Sequence, residues 1–251
     1  MKKKYFNKTL LLLAIAAVLL LASTVGSTQA ALTYYSENYS AEVTVANIGV
    51  ALLENDSEVA SRNYVVVDGS TKTYGWDEVQ GSLLTKMIGE DEKLVLGKKY
   101  DEKISVKNTG EIDSYVRVIL TKSWQDGDGK DTELSPELIV VDTLEANGWV
   151  KDTSVKSSER IVLYYTKVLP SGAESPDCTE AISISKDIAK YFDKKVSEDG
   201  KTVTYDYTYN GYTFNLEAEV DAVQTHNAAD AIKSAWGVDV AVAADGTLSL
   251  K

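Results

Sequence analysis

The chain has 251 residues, with 26 Lys and Arg against 38 Asp and Glu, one histidine and one cysteine. A net charge of −12 argues against nucleic acid and anionic membrane as partners, because both are bound through clustered Lys and Arg. A single cysteine excludes an intramolecular disulfide, so the fold must hold by burial and strand pairing.

The front end is in three pieces. Residues 1–9 carry Lys2, Lys3, Lys4 and Lys8 and no acid; residues 10–22 are an unbroken apolar run; Thr28-Gln29-Ala30 is a small-x-small cleavage site. This is the pattern of a secretory signal peptide over 1–30, cut between Ala30 and Ala31. The run is short of the roughly 20 residues that a spanning helix requires, which argues against the alternative of an uncleaved anchor. Contact with the membrane is thus expected only through the signal, before cleavage. Removing 1–30 leaves 221 residues, enough for a sizeable core, with 22 basic against 38 acidic side chains. The freed terminus, 31–41, is strand-capable and carries Leu32, Tyr34, Tyr35 and Tyr39. It is a candidate donor strand; the alternative is a frayed end or pairing within its own chain.

From residue 42 onward the pattern is that of one β domain, 42–251. Residues 42–53 form a strand whose apolar parity slips between Val45 and Ala46, which predicts a bulge near Ala46 and Asn47. A short strand over 63–67 is ended by Asp68-Gly69. Residues 70–93 are mixed, with Trp76, Leu83, Leu84 and Met87, and suit a short helix or an insertion.

The best pattern lies over 94–124. Tyr100, Ile104 and Val106 share a face, Asn108-Thr109-Gly110 turns the chain, and Val116, Val118, Leu120 and Trp124 share the next face. Tyr115, Arg117, Thr121 and Ser123 lie opposite, which predicts a half-buried antiparallel strand. Asn147-Gly148 is a hairpin signal ahead of Trp149. Residues 160–169 alternate apolar on both faces, 181–184 are a strand and 186–192 a helical turn. A second hairpin is expected around Asn210-Gly211, with Phe214, Leu216, Ala218, Val220 and Ala222 on one face. One helix follows, capped by Asn227, with Ala228, Ile232, Ala235 and Trp236 as its apolar stripe and Gly237 as its end. Asp245-Gly246 turns a last hairpin. About ten strands and one short C-terminal helix predict an all-β, antiparallel β-sandwich.

Several of these words resemble one family. The junction Gly26-Ser27-Thr28-Gln29-Ala30, a following stretch rich in Tyr, Ser, Glu and Asn, and the strand Val45-x-x-Ile48-x-Val50-x-Leu52 are similar to exported proteins of the TasA/camelysin (CalY) family. So are LVLGKKYDEKISVKNTGEIDSYVRVILTKSW over 94–124 and EVDAVQTHNAADAIKSAWG over 219–237. Relatives often have Pro-Gly where Leu96-Gly97 stands here. The resemblance implies a jelly-roll form of the sandwich, processing by a SipW-type signal peptidase and an address in the extracellular matrix or at the cell surface. It also implies a biofilm matrix or fibre subunit, in which the terminal strand is donated to the next copy. Partners would then be copies of the chain itself and other matrix proteins. Two alternatives stand beside it: an exported metallopeptidase, as camelysin has been classed, and a surface adhesin or binding module.

Catalytic chemistry finds little footing. His226 is the only histidine, no H-E-x-x-H or nucleophile elbow occurs, and spacing singles out no pair of carboxylates. No catalytic residue, no enzymatic activity and no cofactor are expected. Cys178 falls in the loop 170–179 with acidic neighbours, as a small packing residue; a free thiol, an interchain partner or a pairing with His226 are the alternatives. Asp126, Asp128 and Asp131, interleaved with Gly127 and Gly129, suit either a turn or a Ca²⁺-type cation site, although the spacing is not that of an EF-hand. N-terminal sequencing of the exported protein should begin at Ala31, and a product beginning at Met1 would refute the signal assignment.

Overall fold

A computed structural model describes residues 47–68, 73–88, 93–127, 129–198 and 202–251. The expected signal, its cut at Ala30 and Ala31, the donor segment with Leu32, Tyr34, Tyr35 and Tyr39, and Asp128 all lie outside the described residues. Residues from Ala46 to Lys251 form one compact unit.

The chain is mostly β, with all strand pairs antiparallel among the described residues. Sixteen strands occur there rather than about ten, because several expected strands split or lengthen. The element on which the others are built is β6, Ser114–Asp126, with 13 residues. It pairs with β14 (Thr213–Gln224) on one side and with β10 (Arg160–Tyr165) on the other. β9 (Trp149–Lys151) extends that sheet beyond β10, and β7 (Gly129–Asp131) folds back on the end of β6. A second sheet has the order β3 (Thr73–Val79), β2 (Ser57–Asp68), β1 (Gly49–Glu54), β5 (Ile104–Asn108). A third joins β4 (Tyr100–Asp101), β11 (Thr179–Ile184) and β8 (Ile139–Thr143). Two hairpins complete the inventory, β12–β13 (Phe192–Val196 with Val203–Tyr207) and β15–β16 (Val240–Val242 with Leu248–Leu250).

Val116, Val118, Leu120 and Trp124 of β6 are fully buried against Leu52, Tyr100, Ile104, Val106, Ile182 and Ile184 of the other two sheets. The face expected to be polar is buried as well. Tyr115 and Ile119 of β6 and Val162 and Tyr164 of β10 pack on α1 (Ala228–Trp236) and on β15–β16, forming a second cluster. Arg117 was read as solvated. It lies instead under this cover, its Nε 2.7 Å from the Asp221 carboxylate and its guanidinium 5.1 Å from the Trp236 ring. The helix thus turns a half-buried sheet into a middle layer. Alternation alone could not reveal this, since Ser123 and Thr121 keep the pattern superficially polar.

The turn after β5 explains its sequence. Asn108, buried, donates from Nδ2 to the carbonyls of Ile112 and Leu169 and accepts at Oδ1 from the N–H of Gly110. A side chain at Gly110 would meet the Gly49 nitrogen at 2.6 Å, so only glycine lets the two backbones approach there.

Other expectations need correction. Both Asn-Gly pairs turn the chain without making a hairpin. Gly148, at φ 89°, ends a 3-10 turn (Glu145–Asn147) and carries the chain from β8 in one sheet to β9 in another. Around Gly211 two successive turns span 207–212, so β13 returns to β12 and β14 is free to pair with β6. The strand over 63–67 is part of the longer β2, and the mixed region 70–93 contains strand β3 rather than a helix among its described residues. The bulge expected near Ala46 falls partly outside the described residues; a register shift occurs at Leu52/Leu53. Asn227 does not cap α1 through its side chain: it sits at φ 49°, and Ala235 is exposed. Gly237, at φ 76°, ends the helix as expected, and its N–H bonds the Lys233 carbonyl. The two-sided strand expected over 160–169 is present but ends at Tyr165, the helical turn expected over 186–192 spans Lys186–Lys190 with Phe192 already in β12, and the last hairpin is present as expected.

Because β6 is buried on both faces, Val118→Asp and Ile119→Asp should each cost roughly 3 kcal/mol or more, as an unpaired charge enters an apolar cluster. Thr121→Asp, half exposed, should cost about 1 kcal/mol or less. Denaturant melts check this, and equal losses at 119 and 121 would contradict the two-layer cover.

Candidate functional site

The outer edge of β14 borders two adjoining openings. β14 pairs with β6 over its whole length, from Thr213 opposite Gln125 to Gln224 opposite Ser114. Among the described residues no strand lies on its other side. Its core-facing side chains are correspondingly unfinished. Leu216 is buried, but Phe214, Ala218, Val220 and Ala222 are only half-buried, whereas the equivalent residues of β6 are sealed.

Facing this edge across the layers are β1 and β2. Val50, Leu52, Ala60 and Arg62 line, with Ala218 and Val220, a cleft of about 300 Å³. A second opening of about 250 Å³ shares Leu52, Ala60 and Ala218 and is walled by residues 81–83. Together they form a channel beside β14 whose floor is apolar, at Val50, Leu52, Ala60, Ala218 and Val220, and whose rim is polar, at Arg62, Glu78 and Asp221. The pairing of Val50 with Arg62, and of Tyr64 with Trp76, puts Arg62, Tyr64, Tyr74 and Trp76 on the same side of their sheet as Val50. The channel therefore continues into an aromatic surface, with Tyr64 5.1 Å from Trp76 and 5.8 Å from Tyr74. Trp76 is 49% exposed there, and the Arg62 guanidinium lies 4.3 Å over its ring while pairing with Glu78.

The residues singled out for chemistry are placed apart. Cys178 is fully buried in the first cluster, where burial pushes its thiol well above the ordinary range. It is a packing residue, and a reactive or interchain thiol is not its native state. His226 is exposed at the start of α1, on the opposite side of the central sheet. Asp131 serves a turn: its Oδ2 accepts the N–H groups of Glu133 and Leu134 at 3.0 and 2.8 Å. Asp126 ends β6 opposite Gly129. No group of three or more His, Cys, Asp or Glu stands together as a metal site among the described residues.

One pair went unread in the sequence. Glu102, between β4 and β5, is 0% exposed, and no donor reaches either of its carboxylate oxygens. Its neighbour is the carboxyl of Glu54, at the end of β1, itself buried. Glu54 Oε1 accepts the N–H of Leu84. Two acceptors in contact need a proton between them. Burial, then the charge of Glu54 and the shared hydrogen bond, push the Glu102 carboxyl up to about 8. The two residues are 48 apart in sequence, and only the pairing of Glu54 with Ile104 across β1 and β5 brings them together. No spacing rule could have found them.

No protein-family model, curated protein or solved structure matches the chain.

The carboxyl pair sets a pH dependence of stability. The native state retains a proton that an ordinary Glu releases near 4.5. Between about 4.5 and 8 the unfolded chain binds fewer protons than the folded one, so stability falls as pH rises through that window and levels off above it. The slope should approach about 1.4 kcal/mol per pH unit. Chemical denaturation at pH 5 and pH 8 should show it, and Glu102→Gln should flatten it; a wild type as stable at pH 8 as at pH 5 would contradict the shared proton.

Proposed function

We propose that the chain is a non-enzymatic, exported structural subunit that assembles head-to-tail with copies of itself by strand addition. The observation that carries this reading is the 12-residue edge of β14, unpaired among the described residues, beside a channel with an apolar floor. An unpaired edge offers a row of N–H and C=O groups, and an extended segment of another chain can complete both the ladder and the core. Main-chain bonds would supply affinity, while Leu52, Ala60, Ala218 and Val220 would receive alternate side chains of the incoming strand.

The donor in this reading is the segment 31–41, with Leu32, Tyr34, Tyr35 and Tyr39, freed when a SipW-type peptidase cuts after Ala30. In an extended segment Leu32 and Tyr34 share one face and Tyr35 and Tyr39 the other, so either pair could enter a channel that ends in Tyr64, Tyr74 and Trp76. Donation from one copy to the next is a heterologous contact, which propagates into a filament rather than closing into a dimer. The resemblance to the TasA/camelysin family supports the same picture, with a jelly-roll arrangement of the sheets and a place in an extracellular or cell-surface matrix with other matrix proteins.

A second reading, a surface-binding module, draws on the β12–β13 ribbon. Phe192, Tyr205 and Tyr207 cluster on one of its faces with ring separations of 5.1 and 6.0 Å, and both strands are exposed throughout. Such a face suits stacking on a flat apolar or sugar surface.

Truncation separates the readings. Protein starting near residue 42 should keep its fold and remain monomeric, while the chain starting at Ala31 should form filaments visible by electron microscopy. Val220→Glu, which puts a carboxylate into the channel, should abolish filaments at nearly unchanged secondary structure. Equal polymerisation of both lengths, or filaments from Val220→Glu, would refute strand addition at β14.

A further inference from the structure

We propose that the Glu54–Glu102 pair is a proton-held latch that keeps the segment 81–88 closed over one end of the channel, and that alkaline pH releases it. Its bearing on assembly rests on the strand-addition reading above.

The latch has four structural parts. Glu102 is fixed through its backbone: its N–H donates to the Glu180 carbonyl at 3.0 Å and its carbonyl accepts the Thr179 hydroxyl at 2.6 Å. Its carboxyl is therefore turned inward onto Glu54, with no donor in reach. Glu54 in turn holds the Leu84 N–H. Leu84 has φ 64°, a left-handed conformation that a leucine adopts only under constraint. The hydrogen bond to Glu54 is the constraint at hand. Finally, Leu83, Leu84, Met87 and Ile88 cover the first cluster, and 81–83 wall the channel beside Asn215, Leu216 and Ala218 of β14.

Loss of the shared proton leaves two carboxylates buried in contact, an arrangement that a low-dielectric site does not tolerate. Glu102 is fully enclosed. Glu54 has a way out: it also lines an opening of about 210 Å³ with Ser57, Glu58, Lys86 and Met87. Turning into that space brings it to solvent and near the Lys86 ammonium, and it gives up the Leu84 N–H. The other charged groups around Glu102 do not substitute for the proton. Asp101 and Lys103 flank it in the chain, Asp56 stands on the β1–β2 turn, Glu58 on β2 and Glu180 on β11, yet Glu54 is the charged group acting on its carboxyl. The strained turn then relaxes, and one wall of the channel loosens.

Hydrogen exchange on the protein with its N-terminal segment intact, at a concentration where light scattering shows monomer, tests the latch. After correction for intrinsic rates, protection of 81–88 should fall about tenfold or more between pH 6 and pH 9, as the ionised fraction of a group near 8 moves from about one in a hundred to about ten to one. Glu102→Gln, which donates a fixed amide hydrogen to Glu54, should hold protection constant; Glu54→Gln should leave 81–88 independent of pH and serves if the first variant does not fold. A wild type without pH dependence, or the same loss in Glu102→Gln, overturns the proposal. Electron microscopy of the same samples keeps the two readings apart: filaments absent at every pH overturn assembly alone, whereas pH-independent protection overturns the latch alone.

Discussion

The structure depends on the burial of β6 from both sides. A strand in the middle of a sheet must satisfy its ladder on two edges and its side chains on two faces, and β6 does both over most of its 13 residues. The sheets carrying Leu52, Ile104 and Ile182 cover one face. The helix carrying Ile232 and Trp236 covers the other. Each cover alone would leave a hydrophobic surface open to water. With one cysteine and so no intramolecular disulfide, the fold rests on the two apolar clusters.

The same arrangement explains where the molecule is open. β10 is flanked on both edges, by β6 and β9, and its residues from Ile161 to Tyr165 are buried. β14, on the other flank of β6, has one strand partner among the described residues, and the layer facing it recedes into the channel beside Ala60. Strand, channel and aromatic surface are one continuous feature. The acid pair lies beside it, and the hydrogen bond from the Leu84 N–H to Glu54 links the pair to the segment 81–88 that walls the second opening.

Legibility in the sequence followed the range of the interactions. Local chemistry was readable: the period-two faces of 116–124, the two-sided strand over 161–165, the glycine that ends the helix and the turn at Asn108 are all set within a few residues. Pairing partners were not. Asn147-Gly148 and Asn210-Gly211 carry hairpin signals, yet tertiary competition for β10, β12 and β6 assigns the strands on either side to other partners. The polar look of Arg117 and Thr121 hid a second core, because Arg117 is neutralised by Asp221 and covered by Trp236. Ala218 and Val220 announced a core face but not that the face would be half open. Glu54 and Glu102 were two acids among 38, and only the register of β1 against β5 selects them.

Cys178 carries a consequence of its own. Its sulfur is sealed among apolar side chains, and burial disfavours the thiolate. In the folded chain this thiol is therefore shielded from thiol–disulfide exchange with its surroundings. A maleimide dye in excess would reach the sulfur only through openings that disrupt the first cluster. The lone thiol is in effect a stopwatch written into the core, and its labelling rate reports how often the molecule comes apart.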